Sequence, residues 1–148
     1  MTLPSDLERR ASALIGAPFK PLGGTPEGWD CRGLVRWCLA EWADVTVPDY
    51  LDVYDADVVT PEGAGQRQAL LARHLASWRQ LEPRAGAVAL LERFGRAGHI
   101  GFMLSPTRVL HADAPSNTAI LDLTQHGGRY RLRAAFIPAH IKAIRRAP

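Results

Sequence analysis

The chain has 148 residues, 47% hydrophobic and 22% charged, with a formal net charge of +3. That length suits a single domain, residues 1–148, around one core. No apolar run approaches the roughly 18 residues of a membrane-spanning helix. The charges are interspersed except at Lys142-Ala143-Ile144-Arg145-Arg146, so the concentrated basic stripe of a nucleic-acid binder is missing.

The start, Met1-Thr2-Leu3-Pro4-Ser5-Asp6, has neither the basic residues nor the apolar core of a secretory signal, and synthesis in the cytoplasm without a signal peptide is expected. Ser5-Asp6-Leu7-Glu8 reads as a capping box, with Ser5 at the cap and Glu8 reaching back. Leu7, Ala11, Leu14 and Ile15 recur at helical spacing until Gly16, predicting an amphipathic helix over 6–15. Residues 16–29, punctuated by Gly16, Pro18, Pro21, Gly23, Gly24, Pro26 and Gly28, read as a loop. Leu34, Val35, Cys38, Leu39 and Trp42 then form one apolar stripe, predicting a buried helix over 32–43. Residues 44–60, with Pro48, Tyr50 and Tyr54, show no helical period and read as extended. Thr60-Pro61-Glu62 sets a cap and a first-turn proline. A surface helix over 65–76, with Leu70, Leu71 and Leu75 inward, is predicted after it.

The pattern then changes. Trp78–Leu81, Ala87–Leu91, Ile100–Leu104, Arg108–Ala112, Thr118–Leu123 and Tyr130–Phe136 are short candidate strands. Pro83-Arg84-Ala85-Gly86, Ser105-Pro106, Pro115-Ser116-Asn117 and Gly127-Gly128 separate them. Hairpin-length spacing favours an antiparallel sheet, and helices followed by strands make the fold class α+β.

Cys31, in Gly28-Trp29-Asp30-Cys31-Arg32-Gly33, falls at the start of the buried helix. Unpaired N–H groups and the helix dipole there favour a thiolate and can receive an oxyanion; the other reading is a core cysteine. Cys38 lies within the apolar stripe and reads as core. On one helix the two thiols stand about 10 Å apart, too far to bridge. A thiol nucleophile needs an imidazole as base or ion-pair partner. His99, in Gly98-His99-Ile100-Gly101, lies at the mouth of a strand. If Ile100–Leu104 and Arg108–Ala112 form a hairpin, His111 falls near the same end, where a third polar group would orient the imidazole. His111 also fits a core histidine with satisfied hydrogen bonds. His74, His126 and His140 read as structural or exposed. The spacing of Cys31, Cys38, His99 and His111 matches no zinc finger or ribbon, and no metal or organic cofactor is expected.

Asp30-Cys31-x-Gly33-Leu34-Val35, Gly98-His99-Ile100-Gly101 and Val109-Leu110-His111-Ala112 together resemble the NlpC/P60 cysteine peptidases. Pro18-Phe19-x-x-x-Gly23-Gly24 and Pro83-x-x-Gly86-Ala87-Val88 match in order and spacing, so the resemblance runs from about Leu14 to Leu123. It implies a minimal papain-like fold, with N-terminal helices packed on a five- to six-stranded antiparallel sheet. It implies Cys31 as nucleophile, His99 as base and His111 as the orienting member of a Cys-His-His triad. It also implies hydrolysis of amide bonds in peptidoglycan stem peptides. Asp30 matches a position that often helps hold substrate, and Phe19, Trp29 and Arg32 beside it are expected to join in substrate binding.

Phe19 stands where many cell-wall members have tyrosine, and Arg32 where many have serine. Two other readings therefore stay open: a catalytically silent tail-assembly component of the same fold, and an amide- or acyl-processing enzyme with a non-wall substrate. Leu34-Val35-Arg36-Trp37 and Val47-Pro48-Asp49-Tyr50 look like the phage-tail and gene-transfer-agent branch. That implies association with a virion or tail, tail proteins as partners, and action in the periplasm or cell wall.

Overall fold

The computed structural model describes residues 1–49, 76–125 and 128–146. The helix expected over 65–76 lies outside them except for Ala76, which is in a turn. Tyr50, Tyr54, His74 and His126 also lie outside.

Strand β1 (Thr2–Leu3) is followed by helix α1 (Leu7–Ser12). This helix is shorter than its apolar spacing predicts, and its cap is Asp6 rather than Ser5. The capping box does not close. The Asp6 carboxylate holds Arg9 at 2.6 Å and Arg10 at 3.2 Å, while Glu8 reaches Arg108 at 3.2 Å. The Ser12 hydroxyl donates to the Glu8 carbonyl at 2.9 Å, a local bond that competes with helix continuation. Ile15 is left exposed.

The loop that follows contains a small hairpin, β2 (Gly24–Thr25) and β3 (Gly28–Trp29). It leads directly into α2 (Cys31–Ala43), which buries Leu34, Val35, Cys38, Leu39 and Trp42 as the stripe predicts. Asp44 ends α2 in a left-handed conformation.

The six expected strands are all present: β4 (Trp78–Leu81), β5 (Val88–Arg93), β6 (Arg96–Met103), β7 (Arg108–Asp113), β8 (Asn117–Asp122) and β9 (Arg131–Pro138). They form one antiparallel sheet in the order β4-β9-β5-β6-β7-β8. A parallel pairing of β1 with β10 (Arg145–Arg146) brings the two ends of the described chain together.

Alternation along the strands splits the core between the sheet's two faces. Helix α2 covers one, where Leu34, Leu39 and Trp42 join Val88, Phe102, Leu110 and Ala112. Trp29, Trp37, Trp42 and Phe102 run through it edge to face, with successive ring centroids 5.5, 5.6 and 5.7 Å apart. Ala87, Ala89, Leu91, Met103, Val109, Ala135 and Ile137 pack together on the other.

Candidate active site

The start of α2 is built by Asp30. Its backbone is extended, and one carboxylate oxygen accepts from the Gly33 amide at 2.8 Å. The other accepts from the Leu22 amide at 2.9 Å. One side chain thus caps the helix and ties the preceding loop to it. The loop crosses so close to α2 that a Cβ on Gly33 would collide with the Gly23 carbonyl oxygen, and a Cβ on Gly23 with that of Gly28. The glycines around the cysteine are a steric requirement of this crossing.

Cys31 is the first residue of α2 and is partly exposed. It lines a cleft of about 240 Å³ together with Phe19, Leu22, Asp30, His99 and Asp113. Among the first amides of a helix, a thiolate is favoured and an oxyanion finds donors. Cys38 is fully buried, and burial pushes its thiol well above the ordinary range, which leaves it protonated and inert.

The imidazole side comes from β6 and β7. Where β5 and β6 pair, Leu91 faces His99 but Glu92 faces Ala97, so Gly98 is an extra residue on β6. A bulge of this kind re-aims the neighbouring side chain. The β6–β7 pairing runs through Met103↔Val109 and Phe102↔Leu110. Continued toward the cleft, that register sets His99, His111 and Asp113 on one face. Gly101 lies between them, and a Cβ there would strike the Val109 side chain.

His99 Nε2 lies 2.8 Å from His111 Nδ1. The rings meet edge to face, with centroids 5.1 Å apart. Tyr130 stacks on His99 at 4.5 Å and 20° and also meets His111 edge-on at 5.5 Å. The Tyr130 hydroxyl donates to Asp113 Oδ2 at 3.0 Å, Arg129 approaches the same oxygen at 3.3 Å, and the Ser116 amide donates to Oδ1 at 2.8 Å.

Burial and the neighbouring His111 push His99 down to about 4, against an upward pull from Asp113. Burial also lowers His111, again opposed by Asp113. Both rings are therefore neutral near pH 7. Burial works against the Asp113 charge, but the Ser116 amide and the Tyr130 hydroxyl outweigh it and hold the carboxyl below the usual range. In the tautomer in which His99 Nε2–H donates to His111, Nδ1 of His99 is left as an acceptor, the form a general base requires.

Cys31, His99, Asp30 and Phe19 line one cleft, and His111 stands directly behind His99. Trp29 and Arg32 are elsewhere, contrary to the substrate-facing role expected of them. Trp29 is 0% exposed, and its indole N–H donates to the Thr118 hydroxyl at 2.7 Å. Arg32 is 4% exposed; it donates to the Asp49 and Leu22 carbonyls at 3.0 and 3.3 Å and lies 3.8 Å from the Asp30 carboxylate. These contacts join the loops that carry Leu22 and Asp49 to the start of α2. His140 is exposed. Asp113 and Tyr130 escape sequence reasoning. For Asp113 a signal exists: it follows His111 by two residues on a strand, hence on the same face. Among the described residues, no group of three or more histidine, cysteine or acidic side chains is placed to hold a metal ion, and no helix is long and apolar enough to cross a membrane.

Several solved structures of similar fold are NlpC/P60 domains. The chain superposes on the NlpC/p60 domain of the peptidoglycan hydrolase SagA with a TM-score of 0.55 at 14% identity, covering 88% of this chain and 95% of that one. The fold is that of an NlpC/P60 domain. A lipoprotein-like NLP/P60 protein of Staphylococcus aureus aligns with a TM-score of 0.56 at 18% identity, over 91% of this chain and 41% of its own. The P60 domain of a Mycobacterium avium subspecies paratuberculosis antigen aligns with a TM-score of 0.52 at 16% identity, over 89% and 90%. No family model matches the sequence, and no curated protein does. The NlpC/P60 likeness is thus one of fold.

Proposed function

We propose that the protein is a cysteine peptidase or amidase that hydrolyses amide bonds in peptidoglycan stem peptides, with Cys31 as nucleophile, His99 as base and His111 as its orienting partner. The observation that carries this reading is the 2.8 Å contact of His99 Nε2 with His111 Nδ1 beside a cleft that Cys31 and His99 share. SagA, of the same fold, is described as a peptidoglycan hydrolase.

In the proposed reaction, His99 Nδ1 takes the Cys31 proton as sulfur attacks the peptide carbonyl. The Cys31 N–H is among the donors to the oxyanion. His99, now an imidazolium held by His111, returns the proton to the leaving amine. Water then attacks the thioester with His99 again as base, releasing the acid and restoring the thiol.

The experiment is digestion of purified muropeptides by wild type and by Cys31→Ala, with products resolved by chromatography. Wild type should cleave and the variant should not; equal release from both rejects the proposal.

A phage- or prophage-type role, with delivery on a tail and action in the periplasm or wall, is the finer part of the proposal. The two segments that suggest it are in contact: Arg36 donates to the Val47 carbonyl at 3.4 Å. Mass spectrometry of particles released by a producing strain should find the protein; particles free of it reject this part.

A further inference from the structure

We propose that Tyr130, locked in place by Asp113, is the positioning residue of the His99–His111 pair: its ring fixes the plane of His99 so that Nε2 meets His111 and Nδ1 is left to receive the thiol proton. The inference rests on the reading of Cys31 and His99 as nucleophile and base, and adds a part that the triad alone does not contain.

An imidazole on a strand can turn about two bonds, and a hydrogen bond from one ring nitrogen leaves rotation about that bond open. A second, flat contact removes it. Tyr130 supplies that contact, stacked at 4.5 Å and 20° from parallel, within the range of favourable aromatic pairs. The same ring meets His111 at 73°, so one phenol braces both imidazoles. The phenol is itself held at its far end. Its hydroxyl donates to Asp113 Oδ2 at 3.0 Å, and that carboxylate is fixed by the Ser116 amide at 2.8 Å and by Arg129 at 3.3 Å. The chain of contacts runs from the turn after β7, through Asp113 and Tyr130, to His99.

The clamp has an electrostatic consequence. When the Cys31 proton moves to His99, the imidazolium lies against the face of Tyr130, and a cation over an aromatic face is stabilised. Among the described residues, the charged or titratable groups around this ring are Cys31 at the start of α2 and Asp30 that caps it, His111 and Asp113 from β7, Arg93 from β5, and Arg129 and Tyr130 before β9. Of these, the thiolate, Asp30 and Asp113 bring negative charge.

The test is the pH dependence of Cys31 alkylation by iodoacetamide, which needs no substrate, set beside kcat on muropeptides. Tyr130→Leu should move the inflection for thiolate formation upward by about half a pH unit and lower kcat about tenfold at little change in KM. Tyr130→Phe keeps the stacked face and should recover most of both effects. An unshifted inflection in a folded Tyr130→Leu, or a phenylalanine variant no better than leucine, overturns the proposal. If Tyr130→Leu does not fold, Tyr130→Met takes its place, with the same upward shift expected from loss of the aromatic face and an unchanged profile counting against. Wild type that alkylates with a shifted inflection but leaves muropeptides intact rejects the substrate and spares the clamp. Ordinary thiol behaviour in every form rejects the clamp.

Discussion

His99 Nε2 and His111 Nδ1 stand 2.8 Å apart, at hydrogen-bond distance. Burial and the neighbouring ring hold His99 down to about 4, and burial lowers His111 too. An unfolded histidine binds its proton near pH 6.5, so between about pH 6.5 and 4 the unfolded chain binds more protons than the folded one. The contribution of these groups is complete above that window and is lost as pH falls through it. For His99 the loss is about 2–3 kcal/mol, allowing for the solvent that reaches its ring. The Asp113 carboxyl, held low, adds a loss in the same direction at lower pH. Urea denaturation at pH 7, 5.5 and 4.5 should show this decline, and His99→Gln should flatten it. A stability constant from pH 7 to 4.5 contradicts the assignment of two buried neutral rings.

The contact between α2 and the loop before it gives a second prediction. Gly33→Ala drives a methyl into the Gly23 carbonyl, a backbone atom that cannot swing aside. The expected cost is about 2–3 kcal/mol, with lowered Cys31 reactivity because the cap moves with the loop. Gly24→Ala meets nothing within 4 Å and should change stability by less than about 0.5 kcal/mol. Denaturant midpoints of the two variants test this; equal values would place the close approach elsewhere.

Arg32 is expected from the sequence to meet substrate, and the structure turns it inward. Arg32→Met should therefore act on stability: it leaves Asp30 without its cation and the Asp49 and Leu22 carbonyls without their donor. Removing one partner of so buried a pair costs about 3–5 kcal/mol. Thermal melting should fall steeply while the KM of the surviving folded enzyme stays near that of wild type. A large rise in KM with melting unchanged would return Arg32 to the substrate side.

The same residue shows how far the sequence could be read. Helix α2 was legible because its apolar stripe is a direct trace of burial, and the six strands because glycine and proline punctuate them. The capping of α1 was not: Ser5, Asp6 and Glu8 each had a plausible partner, and the choice fell to Arg9, Arg10 and Arg108. The two-residue strands β1, β2, β3 and β10 are too short to carry a period. At the site, Cys31, His99 and His111 stood out by residue type and spacing. Trp29 and Arg32 were misplaced because nearness in sequence does not set direction: each helical step turns the side chain by about 100°, which carries Arg32 inward from Cys31. Tyr130 could not be found at all. It reaches His99 through the pairing of β9 with β5 and of β5 with β6, and a register shift interrupts each of those ladders.

His111 supplies the last prediction, because two replacements separate its chemistry from its bulk. The atom His99 uses is Nδ1, the ring nitrogen nearest the backbone. Asparagine carries an oxygen at almost the same distance from Cα, so His111→Asn keeps an acceptor for His99 Nε2–H. His111→Ala removes it and leaves a donor unsatisfied in a site that is nearly closed to water, since His111 is 2% exposed. With the orienting acceptor gone, His99 is free to take the other tautomer, whose Nδ1 carries a proton and cannot receive one from the thiol. The alanine variant should lose about 10²–10³ in kcat, the scale on which positioned acid–base groups contribute. The asparagine variant should retain at least tenfold more activity than alanine, with KM little changed in either. Steady-state kinetics on muropeptides measures both. Equal and large losses in the two variants would mean that the imidazole itself, and not an acceptor at that point, is what His99 requires.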